Sequence, residues 1–322
     1  MELLEVLQIN LLSPMVLAFV LGVIAVRVKS DLTIPDQVYT IISIYLLFSI
    51  GLKGGFDLAK SPLQGFLVAA LVAVVLGIIV AVSSYLLFWR VGQLSEADSI
   101  ALAIHYSGVS AVTLSAAVTF LAEVNEPLEG FMPTMYVIME LPAVLVCLAI
   151  ASARLGQTRT TPSQALRSAL SAKSFLLLGG GTLIGLLSGA TGEKQVSPFF
   201  VQLFPGFLTL FLLEMGTLVG KRLRALSHVG PFLVGYGLFM PLVHGTLGVA
   251  LGTVVGLSVG GSMLMGSLAA SASYITAPAV VQTNIPQAQP IYYLTASLVV
   301  TFPMNLSVGL PIYYALARWM AA

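Results

Sequence analysis

The chain has 322 residues, of which 58% are hydrophobic and only 8% charged, and its mean hydropathy is +1.00. Soluble domains carry roughly 25% charged residues, so this composition excludes a soluble monomer. Because 14 basic side chains nearly balance 13 acidic ones, no excess of positive charge is available for binding nucleic acid.

Long apolar runs, interrupted at charged residues and at Pro or Gly, predict ten transmembrane helices. Such helices need about 20 mostly apolar residues to cross about 30 Å of hydrocarbon. The predicted fold class is therefore an all-α polytopic membrane protein. The predicted spans are residues 12–28, 34–52, 63–89, 97–122, 130–154, 174–190, 198–220, 229–256, 262–283 and 290–318.

One polar segment, residues 155–173, separates the first five spans from the last five. It predicts a first five-helix repeat over 1–154, a cytoplasmic linker over 155–173 and a second five-helix repeat over 174–322. Because each half has an odd number of spans, the halves enter the membrane from opposite sides. Similarity between them would therefore make an inverted repeat.

Two pairs of segments carry such a similarity. LLFSIGLKGG (46–55) in helix 2 aligns with FLLEMGTLVG (211–220) in helix 7, and YSGVSAVTLSAAV (106–118) in helix 4 aligns with AASASYITAPAVV (269–281) in helix 9. The two offsets, 165 and 163 residues, nearly agree. The sequence therefore predicts a 5+5 inverted repeat.

Basic residues in the loops indicate the orientation, because Lys and Arg are enriched on the cytoplasmic side of a membrane. With the N-terminus outside, ten of the 14 basic residues fall on the cytoplasmic side: Arg27, Lys29, Arg90, Arg154, Arg159, Arg167, Lys173, Lys221, Arg222 and Arg224. The other four fall outside: Lys53, Lys60, Lys194 and Arg318. This bias predicts an external N-terminus.

Helices 4 and 9 each contain small hydroxyl residues near the middle of an apolar span. These residues, with the neighbouring Gly and Pro, are Ser107, Gly108, Ser110 and Thr113 in helix 4, and Ser271, Ser273, Thr276 and Pro278 in helix 9. Gly and Pro loosen a helix, and hydroxyl groups can satisfy the freed backbone groups, so both helices are predicted to be discontinuous. New helix N-termini at about Ser110 and Ser273 would offer N–H groups to an anion near the membrane midplane. Close packing of small residues is the alternative interpretation.

Two acidic residues lie inside the predicted spans, where burying a charge is costly. Glu140, beside Pro142 in helix 5, is a candidate ligand for sodium or a candidate proton carrier. Glu214 in helix 7 could act in the same way, or could extend toward Lys221 and Arg222 at the cytoplasmic end.

Further oxygen ligands for sodium are available in helix 10, where Thr301 and Asn305 flank Pro303. The lone membrane histidines, His105 and His244, are typical of structural hydrogen bonds. The single cysteine, and the lack of a motif such as HExxH, predict no transition-metal site. A row of glycines in helix 8 predicts a packing face: Gly248, Gly252, Gly256 and Gly260.

Enzyme signatures such as a Walker loop, GxSxG or CxxC are absent from the sequence, so we expect neither catalysis nor a cofactor. Without a nucleotide-binding loop, a secondary transporter driven by an ion gradient is the natural interpretation. The alternatives are a sodium symporter for another small carboxylate, a sodium/proton antiporter that uses Glu140, and a nontransporting membrane sensor or scaffold.

Several motifs together resemble the cyanobacterial sodium-dependent bicarbonate transporter family of the SbtA type over essentially the whole chain. They are IPDQVY and SIGLKGG in helix 2, SGVSAVTLSAA in helix 4, MELPA in helix 5, MPLVHG in helix 8, AASASYITAP and NIPQAQP in helix 9, and VGLPIYY in helix 10.

This resemblance implies sodium-coupled uptake of bicarbonate through the plasma membrane as part of a carbon-concentrating mechanism. It also implies a homotrimer whose protomers have a core domain with the two broken helices and a gate domain, each drawn from both repeats. A cytoplasmic PII-like protein is the implied regulatory partner, although the central loop is shorter here than in the family.

By position, the resemblance assigns the hydroxyl residues of helices 4 and 9 to the bicarbonate and sodium sites. Bicarbonate is assigned to Ser107, Gly108, Ser110, Thr113, Ser271 and Ser273, and sodium to Thr276, Glu140, Thr301, Asn305 and Tyr274. Tyr274 stands where the family pattern has an acidic residue, so Glu140 or hydroxyl and carbonyl oxygens would have to compensate.

Overall fold

A computed structural model describes residues 3–60, 65–156, 167, 171 and 173–322. Every regular element in these ranges is helical. Seven helical segments there are long and apolar enough to cross a membrane, and a bent pair at the N-terminus makes an eighth candidate. The prediction of an α-helical polytopic membrane protein is confirmed at this level.

The described part of the first half contains seven α-helices. They are α1 (Leu3–Leu11), α2 (Pro14–Arg27), α3 (Asp36–Lys60), α4 (Phe66–Leu86, continued by a π-helical turn to Val91), α5 (Glu96–Ser107), α6 (Ala111–Glu123) and α7 (Met135–Leu155).

The described part of the second half contains six α-helices. They are α8 (Lys173–Phe200), α9 (Phe204–Arg222), α10 (Leu226–Val254), α11 (Val259–Ala270), α12 (Ala277–Asn284) and α13 (Pro290–Ala321, which includes two π-helical stretches). The predicted linker, 155–173, lies mostly outside the described residues.

The prediction of ten spans is neither met nor refuted by these segments. Residues 204–254 satisfy the length and hydropathy criteria as one segment, although a 3₁₀ turn at 223–225 separates α9 from α10. Helix α11 is apolar but shorter than a full span. Ten spans therefore stay a prediction.

Two predicted spans differ in extent from the helices. The first predicted span, 12–28, matches α2, but a further helix, α1, precedes it at an angle of 55°. The sixth predicted span stops at residue 190, whereas α8 continues through a kink at Gly189 to Phe200. The polar residues after the kink do not end the helix, because Glu193 forms an ion pair with Lys60 of α3.

Helices α2, α3, α8 and α9 form the first packing group. Helix α3 packs along α8, and α2 packs along α9. Glycines make both contacts close, because a Cβ built at Gly51 would lie 3.1 Å from the Cα of Gly181, and one built at Gly22 would lie 3.0 Å from the Cα of Gly216. Small residues of this kind let membrane helices approach at the backbone.

Helices α4, α5, α7, α10, α11 and α13 form the second packing group. The predicted glycine face on α10 is confirmed for Gly248 and Gly252, which pack against the backbone of α11. The face does not continue as predicted. Gly256 has a positive φ of 83° just beyond the end of α10, and Gly260 belongs to α11, since the chain reverses direction between them.

Serine caps fix where the helices beside the breaks begin. Ser95 accepts a hydrogen bond from the backbone N–H of Asp98 at the start of α5, and Ser258 accepts one from Gly261 at the start of α11. Glu129 in turn accepts hydrogen bonds from the backbone N–H and the hydroxyl of Ser258. These caps hold the outer ends of the two half-helices in place.

Candidate functional site

The first helix break separates α5 from α6. Gly108 and Ser110 adopt extended backbone conformations, and α6 begins at Ala111. The Ser110 hydroxyl accepts a hydrogen bond from the backbone N–H of Thr113 at 3.2 Å, so Ser110 is the N-cap of the new helix. The predicted break and its position at Ser110 are confirmed.

The second break is longer than predicted. Helix α11 ends at Ala270 and α12 begins at Ala277, so the helix does not restart at Ser273. Pro278 explains the difference, because proline is tolerated in the first turn of a helix but disrupts the interior. The Ser273 hydroxyl still accepts a hydrogen bond from the backbone N–H of Ala277, at 3.3 Å.

The two breaks touch and exchange hydrogen bonds. The backbone N–H of Ser110 donates to the hydroxyl of Ser271 at 3.0 Å, and the backbone N–H of Ser273 donates to the carbonyl of His105 at 2.7 Å. A Cβ built at Gly108 would lie only 2.8 Å from the Cβ of Ser273. Glycine at 108 therefore permits the contact between the breaks.

A chain of hydroxyl groups joins the second break to a carboxylate on α7. The hydroxyls of Ser273 and Thr276 are 2.7 Å apart, and the Thr276 hydroxyl donates to Glu140 Oε1 at 3.2 Å. Glu140 also interacts with the Tyr136 side chain one turn earlier on α7. The structure thus brings Glu140 to the break, as the sodium assignment requires.

A cavity of about 40 Å³ lies between the first packing group and the breaks. A buried water needs roughly 10–15 Å³ measured in this way, so the cavity matches about three waters, close to one small oxyanion. Its polar side-chain lining consists of hydroxyl groups and one lysine: Ser43, Ser110, Ser115, Tyr136, Lys173, Ser174, Ser273, Tyr274 and Thr276.

Lys173 contributes the formal charge in this lining. It is the first residue of α8 and is exposed, so it lies at the mouth of the cavity. The hydroxyl residues Ser43, Ser115 and Ser174 were missed by sequence reasoning, and so was Tyr136. A signal for Ser43 exists in the sequence, because it is a small hydroxyl residue within the apolar run of helix 2.

Three other residues predicted to form the site lie at the breaks. Ser107 and Thr113 are buried beside the first break, where the Ser107 hydroxyl lies 3.7 Å from the sulfur of Cys147. Asn305 reaches the second break, but its amide donates to the Ala270 carbonyl and its oxygen accepts from Tyr313. Both groups of its side-chain amide are thus already engaged.

Thr301 is not brought to the breaks by any hydrogen bond described. Its hydroxyl donates to the Gly237 carbonyl at 2.9 Å and lies 2.8 Å from the Tyr106 hydroxyl. The histidines make the predicted structural hydrogen bonds. His105 bonds to the Ala101 carbonyl, and His244 lies 3.1 Å from the Ser83 hydroxyl.

Glu214 is buried, with 7% of its surface exposed. The ion pairs among the described residues do not include Glu214, so its extension toward Lys221 and Arg222 stays a prediction. Its Oε2 atom also has no hydrogen-bond partner within the described ranges.

The geometry can hold an anion and a hard cation close together. The place where the two breaks touch is called the crossing. Helices α6 and α12 begin at the crossing and present the positive ends of their dipoles, whereas α5 and α11 end there and present carbonyl groups. Half-helix N-termini favour anionic groups, and half-helix C-termini with unwound carbonyls favour Na⁺.

Comparison with known proteins agrees with this geometry. The curated proteins that were compared gave no match. The family model described as the Na⁺-dependent bicarbonate transporter superfamily matches residues 14–318, a range that includes both helix breaks and the residues around the cavity. The chain therefore belongs to the Na⁺-dependent bicarbonate transporter superfamily.

Proposed function

We propose that this protein is a sodium-coupled symporter that imports bicarbonate through the plasma membrane by alternating access. The observation that carries the proposal is the contact between two helix breaks beside a small cavity lined by hydroxyl groups. A planar oxyanion of four heavy atoms fits a cavity of about 40 Å³. Membership of a Na⁺-dependent bicarbonate transporter superfamily supports both the substrate and the coupling ion.

The proposed architecture is ten spans arranged as a 5+5 inverted repeat, with residues 1–154 and 174–322 as the repeats. Paired contacts support it. Gly51 of α3 packs on α8, and its counterpart Gly216 of α9 packs on α2. Likewise, the N–H groups of Ser110 and Ser273, which the repeat equates, each bond to the opposite break.

We assign the first packing group to the gate domain and the second, with the breaks, to the core domain. Each group draws helices from both proposed repeats, which agrees with such a division. The cavity lies at the boundary between the groups, so a shift of one group relative to the other would change which side of the membrane it faces.

In this proposal bicarbonate binds at the breaks and sodium binds beside it. Bicarbonate contacts Ser110 and Ser273, which line the cavity, and the other assigned residues of the breaks surround them: Ser107, Gly108, Thr113 and Ser271. Sodium is held by oxygens from Glu140, Thr276 and Tyr274. Thr301 and Asn305 are left out of the sodium site, because their side chains form hydrogen bonds with other groups. Bicarbonate binds tightly only when sodium is present, and this difference in affinity is the coupling free energy.

Uptake of radiolabelled bicarbonate into proteoliposomes tests the proposal directly. The assay compares an inward sodium gradient with a choline gradient at fixed pH and without carbonic anhydrase. We expect accumulation only with sodium. Equal uptake under both gradients would refute sodium coupling, and no uptake under either would refute bicarbonate as the substrate.

The same vesicles separate the alternative functions. Competition by other small carboxylates would identify a different substrate, and proton release on adding sodium without bicarbonate would identify the antiporter. A sensor or scaffold would give no solute flux. The external N-terminus, the homotrimer and the PII-like partner stay predictions that rest on charge bias and family resemblance.

A further inference from the structure

Glu214 is a carboxylate in a membrane helix that the proposed sodium and bicarbonate sites do not use. It lies in the middle of α9, with 7% of its surface exposed and with its Oε2 atom unpartnered among the described residues. Leaving an ionised carboxylate unpaired inside a membrane is costly. Its position therefore requires either a counter-ion or a proton.

The α9 face that carries Glu214 is turned toward the cavity. Phe211, one turn earlier, lines the cavity and stacks on the ring of Tyr39 at a centroid distance of 5.1 Å. Residues three apart are neighbours on one face of a helix. The negative charge of Glu214 is close enough to act on the Tyr39 hydroxyl.

Tyr274 supplies a second oxygen at the same place. It lies in the second break, lines the cavity and is 8% exposed, and its hydroxyl has no hydrogen-bond partner among the described groups. The groups that act on this hydroxyl include the Ser110 side chain and, more weakly, Tyr39. Phe211 and Tyr274 line the cavity, and Phe211 also connects it to the other two residues, because Glu214 follows it on the same face of α9 and Tyr39 stacks on its ring.

We propose that Glu214, Tyr39 and Tyr274 form a binding site for sodium between the gate and core domains. The proposal rests on the sodium coupling proposed above and adds a second carboxylate to it. Hard cations prefer oxygen ligands such as these. Because α9 and the second break belong to different packing groups, sodium here would also link the two groups in this arrangement.

The test measures sodium binding without bicarbonate. Purified protein in detergent is heated in increasing NaCl, with choline chloride keeping the ionic strength constant, and the rise in Tm reports binding. Loss of one ligand weakens metal binding by about tenfold or more, so Glu214→Gln should raise the half-saturating sodium concentration at least about tenfold. The matched control is Glu193→Gln, which removes a carboxylate that forms an ion pair with Lys60 at the end of α3.

An unchanged sodium titration in folded Glu214→Gln protein would overturn the site. If that variant does not fold, Tyr39→Phe replaces it. This change removes one hydroxyl oxygen and should raise the half-saturating concentration several-fold, and a wild-type titration would overturn the proposal.

Bicarbonate uptake separates this inference from the proposed function. If wild-type protein shows sodium-driven uptake and Glu214→Gln keeps the same sodium dependence, the inference fails and the proposed function stands. If sodium raises the Tm through Glu214 but wild-type protein takes up no bicarbonate, the inference stands and the proposed function fails.

Discussion

Gly108 is the point where the two helix breaks lie closest, so a single methyl group tests whether their contact matters. In Gly108→Ala the new Cβ would lie 2.8 Å from the Cβ of Ser273 and 2.9 Å from the carbonyl oxygen of Ile104. Ordinary contact begins near 3.4 Å, so the breaks must separate by about 0.6 Å. That movement stretches the hydrogen bond from Ser273 to His105, which is 2.7 Å long.

Overpacking of this kind costs about 1–3 kcal/mol. At about 1.4 kcal/mol per tenfold change, 2 kcal/mol would lower the population of the intact crossing up to about 30-fold. Because only this arrangement binds bicarbonate in the proposed mechanism, the apparent KM for bicarbonate should rise by up to the same factor. Vmax at saturating bicarbonate should change less.

The assay is the initial rate of sodium-driven bicarbonate uptake into proteoliposomes over a range of bicarbonate concentrations. Gly235→Ala in α10 is the matched control, because a Cβ at that position has no neighbour within 4 Å. Wild-type kinetics in folded Gly108→Ala protein would refute the assignment of the crossing as the substrate site.

Two further substitutions test the contact between the breaks and the charge at the mouth of the cavity. Ser271→Ala removes the acceptor for the backbone N–H of Ser110, which costs about 1–3 kcal/mol at a buried donor, so uptake of bicarbonate should weaken. The control is Ser267→Ala, which should leave uptake unchanged because the Ser267 hydroxyl bonds within its own helix. Lys173→Met removes the charge at the mouth of the cavity and should raise the KM for bicarbonate about threefold at low salt but not at high salt. The control is Lys194→Met. An increase in KM that is independent of salt would contradict an electrostatic role.

Local chemistry made the helix breaks predictable. Ser110 is followed by an apolar run and stands two residues after Gly108, which is the pattern of an N-cap after a break, and the structure places the cap there. The start of α12 was misplaced because alignment with the first break took precedence over Pro278, whose ring is tolerated only in the first helical turn.

Tertiary packing decided what the sequence could not show. Glu214 precedes two basic residues by about two turns, so extension toward the cytoplasm was reasonable on sequence alone. In the structure α2 packs closely against α9 on both sides of Glu214, and α3 stacks Tyr39 on Phe211 of α9. The cavity residues Ser43 and Tyr136 belong to helices with no break, and only packing against α6 and α12 brings them to the site.

The hydrogen bonds at the second break give a physical route for coupling sodium to bicarbonate. A hydroxyl group has one proton to donate, and the Thr276 hydroxyl donates its proton to Glu140, so it can only accept from Ser273. The Ser273 hydroxyl, which accepts from the N–H of Ala277, is therefore also committed as a donor. With Glu140 drawing these protons toward itself, neither hydroxyl is free to donate to an anion.

Sodium at Glu140 would change this arrangement. A cation on the carboxylate competes for Oε1, so Thr276 no longer needs to donate to it, and the hydroxyls of Thr276 and Ser273 can turn toward the cavity. Each donor gained contributes about 1.5–3 kcal/mol to the binding of a charged group, which is about 10- to 100-fold in affinity. Sodium would then raise the affinity for bicarbonate without touching it, and linkage requires bicarbonate to raise the affinity for sodium by the same factor.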